Sequence, residues 1–140
     1  MSLDFPEFDA WASGFPLTLL HVAVALAILI AGAAIYALVT PHREIQLIRE
    51  GNAAAALSFG GVLVGIALPL AFALAASTSV MEIALWGVTT IVVQLALFWL
   101  VDLVLRGLPQ RIRQGEIAAA ALLVAAKLSV AAILAAAVSG

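Results

Sequence analysis

Lys127, Gln94 and Asp102 are the residues of this chain best placed to do chemistry, because each lies in a long apolar run. Lys127 is near the middle of residues 116–138, Gln94 is mid-way along 81–105, and Asp102 is near the end of that same run. An ionisable side chain in lipid is unfavourable by about 2.5–3.5 kcal/mol on insertion scales, so it is kept inside a bundle beside a partner. In an antiparallel helix pair, residues at one depth have a constant index sum. Facing Arg106 with Glu116 sets that sum at 222, which puts Lys127 level with Leu95 and next to Gln94. Asp102 is then level with Ala120, seven residues from Lys127. That is roughly 10 Å of rise, much of which a snorkelling lysine can cover. The three predict a polar track, Lys127–Gln94–Asp102, inside a bundle or at a subunit contact. It would pass a small ion or polar solute. Alternatively, it is a structural pair with no chemistry.

A second polar constellation is repeated. Gln46-Leu47-Ile48-Arg49-Glu50-Gly51-Asn52-Ala53-Ala54-Ala55-Ala56 recurs 64 positions later as Gln110-Arg111-Ile112-Arg113-Gln114-Gly115-Glu116-Ile117-Ala118-Ala119-Ala120, with seven of eleven pairs identical. Alanine matches carry little weight in an alanine-rich chain, but the Gln-x-Ile-Arg-x-Gly spacing carries more. Each copy sits between two long apolar runs and reads as the polar hinge of a helical hairpin. The hinge residues able to meet a ligand or partner are His42, Glu44, Gln46, Arg49, Asn52, Gln110, Arg113 and Glu116. Capping is the plainer role for two of them. Asn52 suits the N-cap of a helix starting at Ala53, and Glu116 suits the positive end of the last helix. Lys127, Gln94 and Asp102 align with Leu63, Ile30 and Leu38, so the membrane-depth polar residues belong to the second copy alone.

The elements that must position these residues follow from composition. The 140 residues are 66% hydrophobic and 10% charged, with mean hydropathy +1.23. So small a globule cannot bury that much apolar surface, so lipid must take the rest. About 20 apolar residues cross a bilayer core, and four runs suffice: 16–40, 53–76, 81–105 and 116–138. The first stops at Thr40-Pro41, where proline cannot continue a helix. Residues 1–15, with Phe5, Phe8, Trp11 and Phe15, suit a segment lying at the membrane interface. They lack the basic start of a secretory signal, so the first run is read as a retained span. The fold class is all-α integral membrane: four transmembrane helices as two tandem parallel helical-hairpin repeats, 16–76 and 80–138, in one domain. The hinges carry Arg43, Arg49, Arg106, Arg111 and Arg113, five of the six Lys+Arg. By the positive-inside rule both hinges are cytoplasmic and both termini outside.

Gly61 and Gly65 form a GxxxG pair that lets helix backbones approach closely. Pro69 is expected to kink the second span, which a membrane helix tolerates when neighbours satisfy the freed carbonyl. Self-association through the Gly61/Gly65 face or the alanine-rich fourth span is expected. His21 is read as an interfacial residue near Glu82, and the two histidines make no metal site. No cysteine is present, and no basic stripe suggests nucleic acid.

Thr40-Pro41-His42-Arg43-Glu44-Ile45-Gln46-Leu47-Ile48, then Gly51-Asn52-Ala53-Ala54-Ala55-Ala56-Leu57-Ser58-Phe59, then Gly61, Gly65, Pro69 and Leu70, resemble the bacterial inner-membrane family of domain of unknown function 350. Trp86-Gly87 and Gln94-Leu95 are similar too, and the resemblance runs from about residue 16 to the end. It implies a small four-span protein built from two copies in the bacterial cytoplasmic membrane. It implies no activity. The setting it implies is near phage-shock-type membrane-stress proteins and polyamine-conjugating enzymes. At Glu116 the chain departs from the asparagine expected by analogy with Asn52.

Two functions fit these residues. One is an oligomeric pore or carrier for a small ion or polar solute. The other is a non-transporting scaffold whose hinges recruit a membrane-stress or lipid-binding partner. No nucleophile–base pair, phosphate loop or metal spacing marks an enzyme or a cofactor. The partners expected are the lipid bilayer, further copies of the chain and a cytoplasmic membrane-stress protein.

Overall fold

A computed structural model of the chain describes residues 4–41, 43–77 and 79–140. Its elements are α1 (Pro6–Val39), α2 (Glu44–Arg49), α3 (Ala53–Ala76), α4 (Val80–Leu105), α5 (Leu108–Arg113) and α6 (Ile117–Ser139). Four of these, α1, α3, α4 and α6, are long and apolar enough to cross a membrane. They run up, down, up, down, with α2 and α5 as one-and-a-half-turn helices at the hinges. The expected spans are recovered within a residue or two, except that α1 begins at Pro6 and runs on through Pro16. Proline in the first turn lacks only an N–H that has no intrahelical acceptor there. At 34 residues, α1 is about 50 Å long, well beyond the roughly 30 Å of a bilayer core. Residues 6–20 touch little of the bundle and are exposed. Their aromatic rings stack along the helix, Phe8 on Trp11 at 5.8 Å and Trp11 on Phe15 at 4.8 Å.

The core combines large apolar side chains, among them Tyr36, Ile66, Ile83, Phe98 and Leu123, with small residues where helices approach most closely. α3 and α6 form the most intimate pair, bringing together Ala54, Ala55 and Gly61 of α3 with Ala119, Ala120, Leu123 and Ala131 of α6. A Cβ on Gly61 would lie 2.8 Å from Val124, and one on Gly65 would lie 2.7 Å from the Gln94 amide. The Gly61/Gly65 face is therefore filled by α6 and α4 of the same chain, which corrects the expectation that it mediates self-association. The small side chains are there because helices in lipid gain from close van der Waals packing. α3 continues through Pro69, which is buried. α1 and α4 lock reciprocally: Gly32 receives Ile91, and Gly87 receives Ile28.

Each span ends for a local reason. Thr40, before Pro41, is extended, as residues before proline are, and its hydroxyl donates to the Tyr36 carbonyl at 2.8 Å. The two hinges then make the same bonds 64 residues apart. Gly51 N–H donates to Ile48 O at 3.0 Å and Gly115 N–H to Ile112 O at 2.9 Å. Asn52 N–H donates to Leu47 O at 2.9 Å and Glu116 N–H to Arg111 O at 3.0 Å. Gly51 and Gly115 sit at φ 87° and 77°, where a Cβ is disfavoured.

The hinges are also tied to each other, through Asn52. Its Oδ1 accepts from Ala55 N–H at 3.0 Å, capping α3, while its Nδ2 donates to Ile112 O at 2.9 Å and Arg113 O at 3.1 Å. Glu116, at the matching position, makes no side-chain cap and instead pairs with Arg111 at 2.9 Å. Asn52→Ala is therefore expected to destabilise the protein by about 1–2 kcal/mol, with Glu116→Ala costing less because its pair is partly open to solvent. Thermal unfolding in nanodiscs checks this; equal losses would mean that the cross-hinge bonds contribute nothing.

Candidate functional site

The site is a cluster of polar side chains enclosed where α1, α2, α3 and α6 meet. Lys127, Glu44 and Ser58 have no exposed surface, and Tyr36 is 1% exposed. The Lys127 ammonium donates to the Tyr36 hydroxyl and stands 4.0 Å from the centre of the Tyr36 ring. Ser58 Oγ donates to Glu44 Oε1 at 2.7 Å. Lys127, Tyr36, Ser58 and Glu44 are buried together. The amine and the carboxylate thus each bond a buried hydroxyl, Tyr36 and Ser58, in one cluster. Phe98 closes one side, meeting Tyr36 edge to face at 6.0 Å.

Helix geometry brings these groups together. Lys127 is ten positions after the start of α6 and Ser58 five after the start of α3, so the lysine Cα is about 7 Å deeper. A Cα–Cβ bond tilts towards its helix N-terminus. On α6 that direction is towards the hinge, so the lysine stem returns to the level of Ser58. On α1 it is away from the hinge, so the tyrosine hydroxyl comes to meet it. Glu44 reaches inward because α2 packs back on α3. At the matching place in α5 stands Leu108, also fully buried, so the site has charge where the other hinge has hydrocarbon.

Of the predicted track, Gln94 is beside Lys127: its Nε2 donates to the Lys127 carbonyl at 3.4 Å and the Gly65 carbonyl at 3.3 Å. Its Oε1 is buried without a hydrogen-bond partner among the described residues. Asp102 is elsewhere. Its Oδ1 accepts from Leu108 N–H at 2.8 Å, satisfying the start of α5. Of the hinge residues, Glu44 joins the cluster. Gln46 and Arg113 line a pocket described below, while Arg49 and Gln110 are exposed. His42 lies outside the described residues. His21 is buried, and Glu82 accepts from Ser77 Oγ at 2.6 Å.

Tyr36 and Ser58 are the residues that sequence reasoning missed. Two signals mark them. Tyr36 is the one tyrosine in the chain. The depth rule used for the second hairpin, moved back 64 positions in both helices, faces Tyr36 with Ser58.

Removing one member of a buried charged network is strongly destabilising, about 3–5 kcal/mol, whereas replacing both charges by apolar groups is often neutral or favourable. Lys127→Leu and Glu44→Leu are each expected to lower the unfolding midpoint sharply, and the double variant is expected to recover most of the loss. Additive losses in that cycle would show the two charges to be independent.

Against known proteins, 78 residues of the chain are 40% identical to the UPF0719 inner membrane protein YjfL of Escherichia coli K12, and equally to the protein of that name in Escherichia coli O157:H7. The match takes in 56% of this chain and spans 59% of the length of those relatives. No solved structure matches the chain. The model of the family described as Domain of Unknown Function (DUF350) matches residues 10–138, and the chain belongs to that family.

Proposed function

We propose that this chain is a multi-pass protein of the bacterial inner membrane that works as an oligomeric carrier of a small cation, the proton foremost. The observation behind this reading is the buried run Lys127–Tyr36–Ser58–Glu44. A chain of hydroxyls between an amine and a carboxylate can hand on a proton by exchanging hydrogen-bond partners. It gives a hydrated ion no room. Ionisable groups at membrane depth mark ion and proton paths as a rule. Further buried polar groups continue towards the other membrane face: Gln94, then Thr90, then His21. The hinges, with their arginines, are read as cytoplasmic and both termini as outside. The recurrence of the same hinge bonds 64 residues apart supports two tandem parallel hairpin repeats. In this reading the second copy supplies the amine and the first the carboxylate and hydroxyls, so neither copy is a site alone. The chain is read as no enzyme and as needing no cofactor.

Proteoliposomes with a trapped pH-sensitive dye test the proposal. An imposed K⁺ diffusion potential with valinomycin should drive proton entry above that of empty vesicles. Tyr36→Phe should cut it at least tenfold, and the apolar double variant at Lys127 and Glu44 should abolish it. Flux equal to that of empty vesicles, or unchanged in the double variant, would refute the carrier.

The scaffold reading rests on a different observation, the cross-hinge bonds that hold Arg113 and Asn52 in one polar surface. It predicts that Arg49→Glu or Arg113→Glu abolishes capture of a cytoplasmic membrane-stress protein, while Lys127→Leu protein that folds retains it. The opposite pattern would count against a scaffold.

A further inference from the structure

Between the two hinges lies a pocket of about 470 Å³ lined by Pro41, Arg43, Gln46, Leu47, Glu50 and Arg113. That is within the size range of small-ligand sites. The carrier reading above makes no use of it. Arg43, Gln46, Leu47 and Glu50 follow helical spacing, i, i+3, i+4 and i+7, so they share one face of α2 and its ends. Arg113 comes from α5 and is held by one N–H to the Pro41 carbonyl at 2.6 Å. The Arg113 guanidinium therefore stands at the Pro41 end, where Arg43, two residues on in the chain, also lines the pocket. The Glu50 carboxylate stands at the other end, positioned by the Gln46 amide at 3.1 Å. The pocket is dipolar, basic at one end and acidic at the other.

Arg43 also holds a backbone conformation that a side chain resists, with φ 49° and ψ 57°. The matching residue of the second hinge is Gly107, at φ 76°. The turn itself therefore needs no side chain, and glycine would be the relaxed choice. A strained non-glycine residue that lines a pocket points to a task for its side chain.

We infer that this pocket binds a phosphoethanolamine group, with the phosphate between Arg43 and Arg113 and the ammonium at Glu50. Arginine forks match phosphate oxygens, and a carboxylate ten or so ångströms along the helix rejects a purely anionic ligand while attracting an amine. The pocket is at the end of the bundle where the spans meet the membrane surface, which is the level of lipid headgroups. The same chemistry could also arrive as a free phosphoethanolamine ester.

Native mass spectrometry of delipidated protein tests the site, with dioleoyl phosphatidylethanolamine, phosphatidylglycerol and phosphatidylcholine as separate probes. A parallel arm measures the thermal shift with soluble O-phosphoethanolamine. Phosphatidylethanolamine should be retained several-fold better than the other two lipids. Arg43→Gly and Arg113→Gln should each lose that retention about tenfold. Arg43→Gly should also unfold no earlier than wild type, which separates loss of the site from loss of the fold. Glu50→Gln should erase the preference over phosphatidylglycerol. Binding of the soluble ester without retention of the lipid would support the site and assign it a soluble ligand. Equal retention of all three lipids with no thermal shift would overturn it, as would retention untouched in both arginine variants.

Discussion

A lysine ammonium enclosed where no water reaches has to be solvated by protein. Much of this molecule's arrangement can be read from that requirement. Lys127 receives a hydroxyl and a ring face from α1, in a cluster that also buries Glu44 of α2 bonded to Ser58 of α3. Those groups reach it because α6 packs closely on α3, with Gly61 leaving room for Val124 and alanines filling much of the contact. Close packing and buried charge are thus one feature. In lipid, where apolar burial offers helices little reason to associate, both act in the same direction.

The two hinges divide the work unequally although from α2 and α5 onward they make the same main-chain bonds. Glu44 and Leu108 occupy one place, and so do Arg43 and Gly107, and Asn52 and Glu116. In each pair the first hinge has the residue that reaches beyond its own turn. Glu44 reaches the cluster, Arg43 lines the pocket, and Asn52 bonds the other hinge. The second hinge keeps the relaxed or local alternative: an apolar plug, a glycine, and a carboxylate paired with Arg111 five residues away. A shared backbone frame tolerates this divergence because the turn is held by main-chain bonds and by Gly51 and Gly115. Side chains are then free to differ.

The cluster and the pocket are adjacent along α2. Glu44 faces inward and is fully buried, while Arg43, Gln46 and Glu50 face out of the bundle. This short helix is therefore a wall between the bundle interior and its outer surface. A headgroup bound on the outer side would bear on the same six residues that carry the buried carboxylate.

The four spans, their boundaries apart from the start of α1, and the hinge turns were legible in the sequence. Apolar run length, Pro41, Asn52 and the two glycines act locally, and local forces leave local signatures. The identity of Lys127's partners was not legible. Depth bookkeeping within one hairpin placed Gln94 beside it correctly but pointed on to Asp102, which instead satisfies the start of α5. The partners come from α1, α2 and α3, because α6 packs more tightly across the hairpins than within its own. Which helices neighbour one another is set by how small residues let whole surfaces approach. That is a property of packed pairs of helices, and no single stretch of chain encodes it. The beginning of α1 at Pro6 is a similar case: aromatic, proline-bearing residues that read as a separate surface segment are continuous with the helix of the span behind them.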